Sequence, residues 1–281
     1  MSNEETLDFD LVIVGTGSGN SIPGPEFDHW NIAIIEKGLF GGTCLNVGCI
    51  PSKMFVYAAD VAEIIRDSAT YGIQASIEEV NWPAIRDRVF GRIDPIVQGG
   101  EEYRLGVECP NITVLKGTGR LVGSKTLDVT GDDGQVTRVS GRHIVLGAGA
   151  RPFIPPYPGL DAVPFHTSDT VMRIDSLPQR MIIFGGGYIA AELGHVFAAF
   201  GCEVTIINRG ERLLRREDDD ISVRFTEIAS RRMDVRCGSE VTKVEQIGND
   251  IRVEIQRNAG VCLLYTSPSP RDRTRSRMPS S

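Results

Sequence analysis

The chain has 281 residues, 41% of them hydrophobic and 24% charged, which suits one or two globular domains with proper cores. A net charge of −7 argues against nucleic acid as a main partner. With no apolar run of about 18 residues and an acidic, polar start at 1–10, neither a membrane span nor a signal peptide is expected; six cysteines, only two of them closely spaced, fit a reducing, cytoplasmic compartment better than a secreted disulfide framework.

Residues 10–14 (DLVIV) form a short β-branched run that leads directly into Gly15-Thr16-Gly17-Ser18-Gly19-Asn20. A strand feeding a glycine-rich turn is the start of a dinucleotide fingerprint, in which the first glycine makes the turn, the second admits a pyrophosphate and a following helix end binds the phosphates. Gly15 and Gly17 fill the first two places, Gly19 follows, and Asn20 stands in the third. Pro23, Gly24 and Pro25 are expected to shorten or break the helix. Residues 31–35 (NIAII) read as a second strand ending at Glu36, placed where ribose hydroxyls would be held; an ordinary strand-end carboxylate is the alternative.

Residues 41–53 (GGTCLNVGCIPSK) carry the two close cysteines, Cys44 and Cys49, among glycines, with a proline and Lys53 after them. Thiols at the start of a helix feel its positive end, and a lysine one turn on adds to it, so the pair is expected to have lowered pKa values and to act as a redox disulfide. Two structural cysteines or half a metal site are the alternatives, although Cys109, Cys202, Cys237 and Cys262 are scattered singly. The helix continues over 52–66, with Met54, Tyr57, Ala58, Val61, Ile64 and Ile65 as its expected core face. A second helix is expected over 82–104, with Ile85, Val89, Ile93, Ile96 and Val97 on one stripe. Residues 112–115, 121–122 and 127–129 read as short strands of an antiparallel meander with glycine turns.

Residues 143–155 (HIVLGAGARPFIP) form a strand, a small-residue turn and prolines, and a domain boundary is expected at 155. The pattern then starts again: strand 180–184 (RMIIF), Gly185-Gly186-Gly187-Tyr188, a helix carrying Glu192, and strand 203–207 (EVTII). Two strand–glycine turn–helix–strand units in one chain imply two dinucleotides. Asn208 and Arg209 follow the last strand, with Arg212 close by, where a site for the unphosphorylated cofactor would place a carboxylate; cations there suit a 2′-phosphate and favour NADPH over NADH. A helix over 221–233 and a hairpin of 241–245 with 251–255 complete the domain. From Val261 the composition turns to Ser, Pro, Arg and Thr, with four arginines against one aspartate, and 261–281 is expected to be a non-native tail.

The run GGTCLNVGCIPSK closely resembles the signature GGxCxNxGCxPSK of the flavin-dependent pyridine nucleotide-disulfide oxidoreductases, and the two glycine turns extend the resemblance over 8–260. It implies an α/β fold of two Rossmann-like domains, an FAD-binding domain at 1–155 and an incomplete NAD(P)H-binding domain at 156–260. It also implies FAD as a cofactor held by Gly15, Gly17, Gly19, Asn20, Glu36, Gly42, Thr43, Gly119, Ala148 and Gly149, with NADPH near Gly185, Gly187, Arg209 and Arg212. Cys44 would be the interchange thiol, Cys49 the thiol against the flavin, Lys53 the residue by the flavin N5, Tyr188 a gate over the flavin and Glu192 the partner of Lys53. Tyr188 and Glu192 read without the resemblance are helix-face residues.

The substrate implied is a small-molecule disulfide, with dihydrolipoamide and glutathione disulfide as alternatives to the low-molecular-weight disulfide favoured by the asparagine turn. The family works as a homodimer whose C-terminal dimerisation domain supplies a His-x-x-x-x-Glu pair. None of His29, His143, His166 and His195 is followed by glutamate five residues on. The chain is therefore expected to lack that domain, to be a fragment, and to be a poor reductase by itself; an inactive FAD-binding module or a dithiol redox sensor are the readings from other classes.

Overall fold

The computed structural model describes residues 6–257 and 260–266. They pack as two compact units: the chain through Pro51 together with Val89–Arg151, and Ser52–Arg88 together with the chain from Pro152. Residues 52–88 pack with the second of these units.

The first unit is built on a six-stranded sheet of β1 (Thr6–Val14), β2 (Ile32–Glu36), β3 (Ile112–Lys116), β4 (Thr118–Leu121), β5 (Thr126–Thr130) and β6 (Val136–Leu146), in the order β3-β2-β1-β6-β5-β4. β1 pairs in parallel with β2, from Leu11 opposite Ile32 to Val14 opposite Ile35, and with β6 on its other side. The expected meander exists only in part. β4, β5 and β6 are antiparallel neighbours, but β3 is parallel to β2, with Ile32 opposite Ile112. An apolar run of four residues carries no direction, so the sequence alone does not choose between these pairings.

Central parallel strands are covered on both faces, which is why they read as unbroken apolar runs rather than alternating ones. Val12, Ala33 and Ile35 join Phe9, Leu127, Val129 and Val139 on one face; Leu11, Ile13, Ile32 and Ile34 make the core of the other. Each fully buried Ile or Val there contributes about 1.5–3 kcal/mol. The strands end together at the glycine turn and at Glu36, which fixes the place of the site.

The second unit holds a parallel sheet of β7 (Arg180–Phe184), β8 (Glu203–Ile207) and β9 (Asp234–Arg236), and an antiparallel one of β10 (Ser239–Ile247), β11 (Asp250–Arg257) and β12 (Gly260–Thr266). β12 pairs along β11 from Gly260 opposite Arg257 to Thr266 opposite Ile251, and Cys262 and Leu264 pack on the core formed by Leu160, Val163, Ile207, Val241, Val244, Val253 and Ile255. The stretch to Thr266, expected in the tail, forms this strand instead, with Cys262 and Leu264 meeting that core; residues 267–281 lie outside the described residues.

The helices are α1 (Gly42–Asn46), α2 (Cys49–Asp67), α3 (Trp82–Leu105), α4 (Tyr188–Ala199) and α5 (Asp219–Ala229). On α2 the expected core face is turned: Phe55, Ala59 and Ala62 are buried, while Tyr57, Val61 and Ile64 are 68%, 42% and 66% exposed. On α3, Val89, Phe90, Ile93 and Val97 are buried and Ile96 is exposed. Trp82 stacks on Phe55 at 5.2 Å, lies 5.5 Å from Phe197 of α4 and donates from Nε1 to the Ile174 carbonyl at 2.8 Å. Among the described residues no helix is long and apolar enough to cross a membrane.

Candidate active site

Two glycines let the redox motif lie against the first turn. Gly15, at φ 96°, brings its α-carbon so near Gly147 that a β-carbon would stand 2.3 Å from the Gly147 oxygen. A β-carbon on Gly42, at φ 61°, would come within 2.6 Å of the Gly17 α-carbon. No other residue type fits either place. Ala148 and Gly149 continue this edge of the sheet in exposed positions, whereas Gly119 sits on β4 facing Ile35 and has a packing reason to be glycine. Ser18–Ser21, with the buried Gly19 and with Asn20, makes a single 3₁₀ turn instead of the opening of an α-helix. Pro25 begins a second such turn and no longer helix forms before β2.

Glu36 closes the turn from the other side. Its Oε2 accepts the Thr16 N–H at 2.8 Å and the Thr16 hydroxyl at 2.6 Å, and its Oε1 accepts the Gly38 N–H at 2.8 Å. Burial alone would raise its pKa, but the bonds from Thr16, Gly38 and Lys37 together hold the carboxyl below its usual 4.5. Thr16 escaped the sequence reading; its position between two glycines of the fingerprint is the signal that could have found it. A depressed folded pKa stabilises the protein above the unfolded value, and that contribution is lost as pH falls through the folded one. Glu36→Gln therefore lowers the melting temperature by a constant amount from neutral pH down to about pH 5, and the gap to wild type closes below that. A gap that persists undiminished in acid would show that the ionised carboxylate is not what holds Thr16.

Cys44 lies within α1 and Cys49 begins α2, both exposed. Pro51, third in α2, stands where its missing N–H leaves no helical acceptor unmet. The Asn46 side chain donates to the Phe40 and Gly42 carbonyls at 2.8 and 2.9 Å, tying the motif to the chain before it, and Thr43 accepts the Val47 N–H at 3.0 Å. A side-chain hydrogen bond links the two cysteines. That bond, with smaller contributions from burial and from the charge of Cys49, raises the Cys44 pKa above its usual 9.0, against a backbone N–H of Cys49 that lowers it. This corrects the expectation for Cys44: a five-residue helix has little macrodipole, and the neighbouring sulfur outweighs it.

In the second unit Lys53 of α2 donates to Glu192 of α4. Their side chains are 63% and 32% exposed, so the pair is worth about 0–1 kcal/mol and its effect is to orient Lys53 rather than to stabilise the fold. Gly185, whose N–H donates to Ile207 at 2.8 Å, turns the chain out of β7; Gly187 caps α4, and Tyr188, its first residue, is exposed. Beyond β8, Arg209 lines an open polar cavity of about 580 Å³ with Glu211, Glu240, Gln256 and Arg257. Arg212 is instead paired with Asp219 at 3.0 Å, and Asn208 donates to the Gly210 and Arg212 carbonyls, which fixes the loop. Arg257, 48 residues after Arg209, gave no signal in sequence.

A glycine cradle that side chains would fill, closed by a carboxylate at the end of the second strand, fits the ribose and diphosphate of a dinucleotide. Residues 9–262 match the family model described as pyridine nucleotide-disulphide oxidoreductase, and the chain belongs to that family. A mycothione reductase from Mycobacterium tuberculosis is 47% identical over 267 residues, covering 92% of this chain and 57% of that protein. A glutathione reductase from Burkholderia cepacia is 32% identical, covering 89% and 54%. Among solved structures, the HOCl-induced flavoprotein disulfide reductase RclA from Escherichia coli superposes with a TM-score of 0.75 at 26% identity, covering 92% of this chain and 54% of that one. The chain thus spans a little over half the length of these relatives.

Proposed function

We propose that the protein is a flavin-dependent disulfide reductase, passing two electrons from NADPH to a low-molecular-weight disulfide, and that this disulfide is mycothione, reduced to mycothiol. The observation that carries the reading is the exposed, hydrogen-bonded pair Cys44 and Cys49 in a family of disulfide oxidoreductases. The 47% identity to a mycothione reductase favours that substrate over the glutathione disulfide of the 32% relative. Arg209 at the cavity beyond β8 favours NADPH. The resemblance in sequence supports a homodimer in the cytoplasm.

FAD, when bound, supplies the hydride acceptance that dithiol chemistry lacks. Cys44 as thiolate attacks one sulfur of the substrate, forming a mixed disulfide and releasing one thiol. Cys49 then attacks the Cys44 sulfur, releasing the second thiol and leaving a Cys44–Cys49 disulfide that two electrons restore to the dithiol. The thiolate is the attacking form, and the hydrogen bond to Cys49, which pushes the Cys44 pKa up, works against it. Lys53, oriented by Glu192, places a positive charge one helical turn beyond Cys49.

An anaerobic titration of the purified chain with NADPH, followed in the visible spectrum, tests the reading. A long-wavelength absorption between a Cys49 thiolate and oxidised flavin is expected, and at lower concentration with NADPH than with NADH. A chain that retains no flavin overturns it. Turnover with glutathione disulfide or dihydrolipoamide in preference to mycothione would keep the chemistry and replace the substrate.

A further inference from the structure

A buried positive charge stands behind the first glycine turn. Arg104, in the last turn of α3 and only 9% exposed, donates from Nε to Asn20 Oδ1 at 2.9 Å and from Nη2 to the Asn20 carbonyl at 2.7 Å; its Nη1 lies 3.6 Å from the Cys109 sulfur. The guanidinium also lies 5.3 Å from the centre of the Tyr103 ring. Among the described residues no carboxylate pairs with it. A guanidinium held out of water without a counter-charge is costly, and a fold keeps one where something else supplies the charge.

The turn itself lacks what such turns ordinarily offer an anion. A diphosphate is usually met by the positive end of a long helix, but here there are only the 3₁₀ turns Ser18–Ser21 and Pro25–Phe27. Gly19 makes the close approach to the sheet, with its β-position 3.0 Å from Ile13 Cγ2. Asn20, in the third place of the fingerprint, is left as the handle by which the turn is held.

We propose that Arg104 is a positioning residue for the dinucleotide pyrophosphate: it grips Asn20 by side chain and main chain, and its charge takes the place of the missing helix end. The proposal rests on the reading that FAD binds at this turn. The diphosphate would be the counter-charge that Arg104 lacks.

The test is a binding titration of the full chain, stripped of flavin, with FAD, ADP and adenosine. ADP keeps the diphosphate, whereas adenosine keeps the ribose alone. Arg104→Met is expected to weaken FAD and ADP alike by about tenfold or more and to leave adenosine unchanged. Arg104→Lys recovers part of the loss, since it restores the charge without the planar fork. Equal losses for ADP and adenosine, or FAD affinity at the wild-type level in Arg104→Met, overturn the positioning role and leave the FAD reading standing. Asn20→Asp covers the case in which Arg104→Met does not fold: it keeps the grip but cancels the charge, so the melting temperature holds and ADP affinity falls. Undiminished ADP affinity in Asn20→Asp rejects the electrostatic role. A wild-type chain that binds neither FAD nor ADP removes the FAD reading and the proposal with it.

Discussion

On the proposed reading, serine in place of Cys44 is expected to reduce the disulfide turnover that the chain supports by on the order of a thousandfold or more, while the spectrum of any bound flavin is retained. The nucleophile in thiol–disulfide exchange is a thiolate, and a serine hydroxyl, whose pKa lies far above that of any thiol, cannot replace it. A serine hydroxyl at 44 can still donate to the Cys49 sulfur, so a long-wavelength absorption from a Cys49 thiolate would persist in Cys44→Ser. Cys49→Ser is the complementary variant: it still attacks a disulfide once but cannot resolve the mixed disulfide, and it loses the absorption. Steady-state rates for the two variants with NADPH, read beside their anaerobic spectra, decide the assignment. Turnover in Cys44→Ser above about a tenth of wild type would hand the exchange to another thiol.

Trp82→Ala is expected to lower the stability of the second unit by about 3–5 kcal/mol, read as a fall of roughly 10 °C in melting temperature. Trp82 is 2% exposed, and its ring sits among Phe55 of α2 and Phe197 and Phe200 of α4, at 5.2, 5.5 and 6.2 Å. Truncation leaves a cavity lined by three aromatic rings that cannot close without moving a helix. Trp82→Phe separates packing from hydrogen bonding. It keeps most of the volume and loses the bond to Ile174, whose carbonyl still accepts from Arg86 at 3.2 Å, so it costs about 1 kcal/mol. Phe55 and Lys53 lie on α2, and Phe197 and Glu192 on α4. The alanine variant is therefore also expected to loosen the Lys53–Glu192 pair. A loss below about 1 kcal/mol in Trp82→Ala would mean that the aromatic cluster is not what holds the two helices.

Local sequence spoke clearly where one interaction decides the outcome. The runs DLVIV, NIAII, RMIIF and EVTII became strands because short apolar, β-branched-rich runs suit a pleated sheet, and β1 and β2 are covered on both faces. Glycine at 15 could be foreseen as a turn, and nothing larger fits there. The α2 face was misread because 54–62 (MFVYAADVA) is apolar around most of the helix, and periodicity then cannot select which of two stripes is inside. The buried stripe is Phe55, Ala59 and Ala62, with Phe55 stacked on Trp82 at 5.2 Å. Ile96 was misplaced in the same way, one residue from the buried Val97. Arg104 and Asn20 are 84 positions apart, Lys53 and Glu192 139, and Trp82 and Ile174 92. No spacing rule reaches across such separations, and the Lys53–Glu192 pair was legible only through the family resemblance. The first of these pairs left only a hint, an asparagine where a third glycine belongs.

The placement of β12 bears on where the chain can safely be divided. A cut at 260, where composition changes, would leave β11 as an open edge, with a row of unpaired amides along Asp250–Arg257 and the side of Val253 and Ile255 that faces Leu264 and Cys262 uncovered. Two strands alone are marginal in water, and the core side of Val253 and Ile255 would lose its cover. The seven residues of β12 thus complete the cover of this core and themselves become the edge of the sheet, so a division of the chain belongs after Thr266 rather than before it.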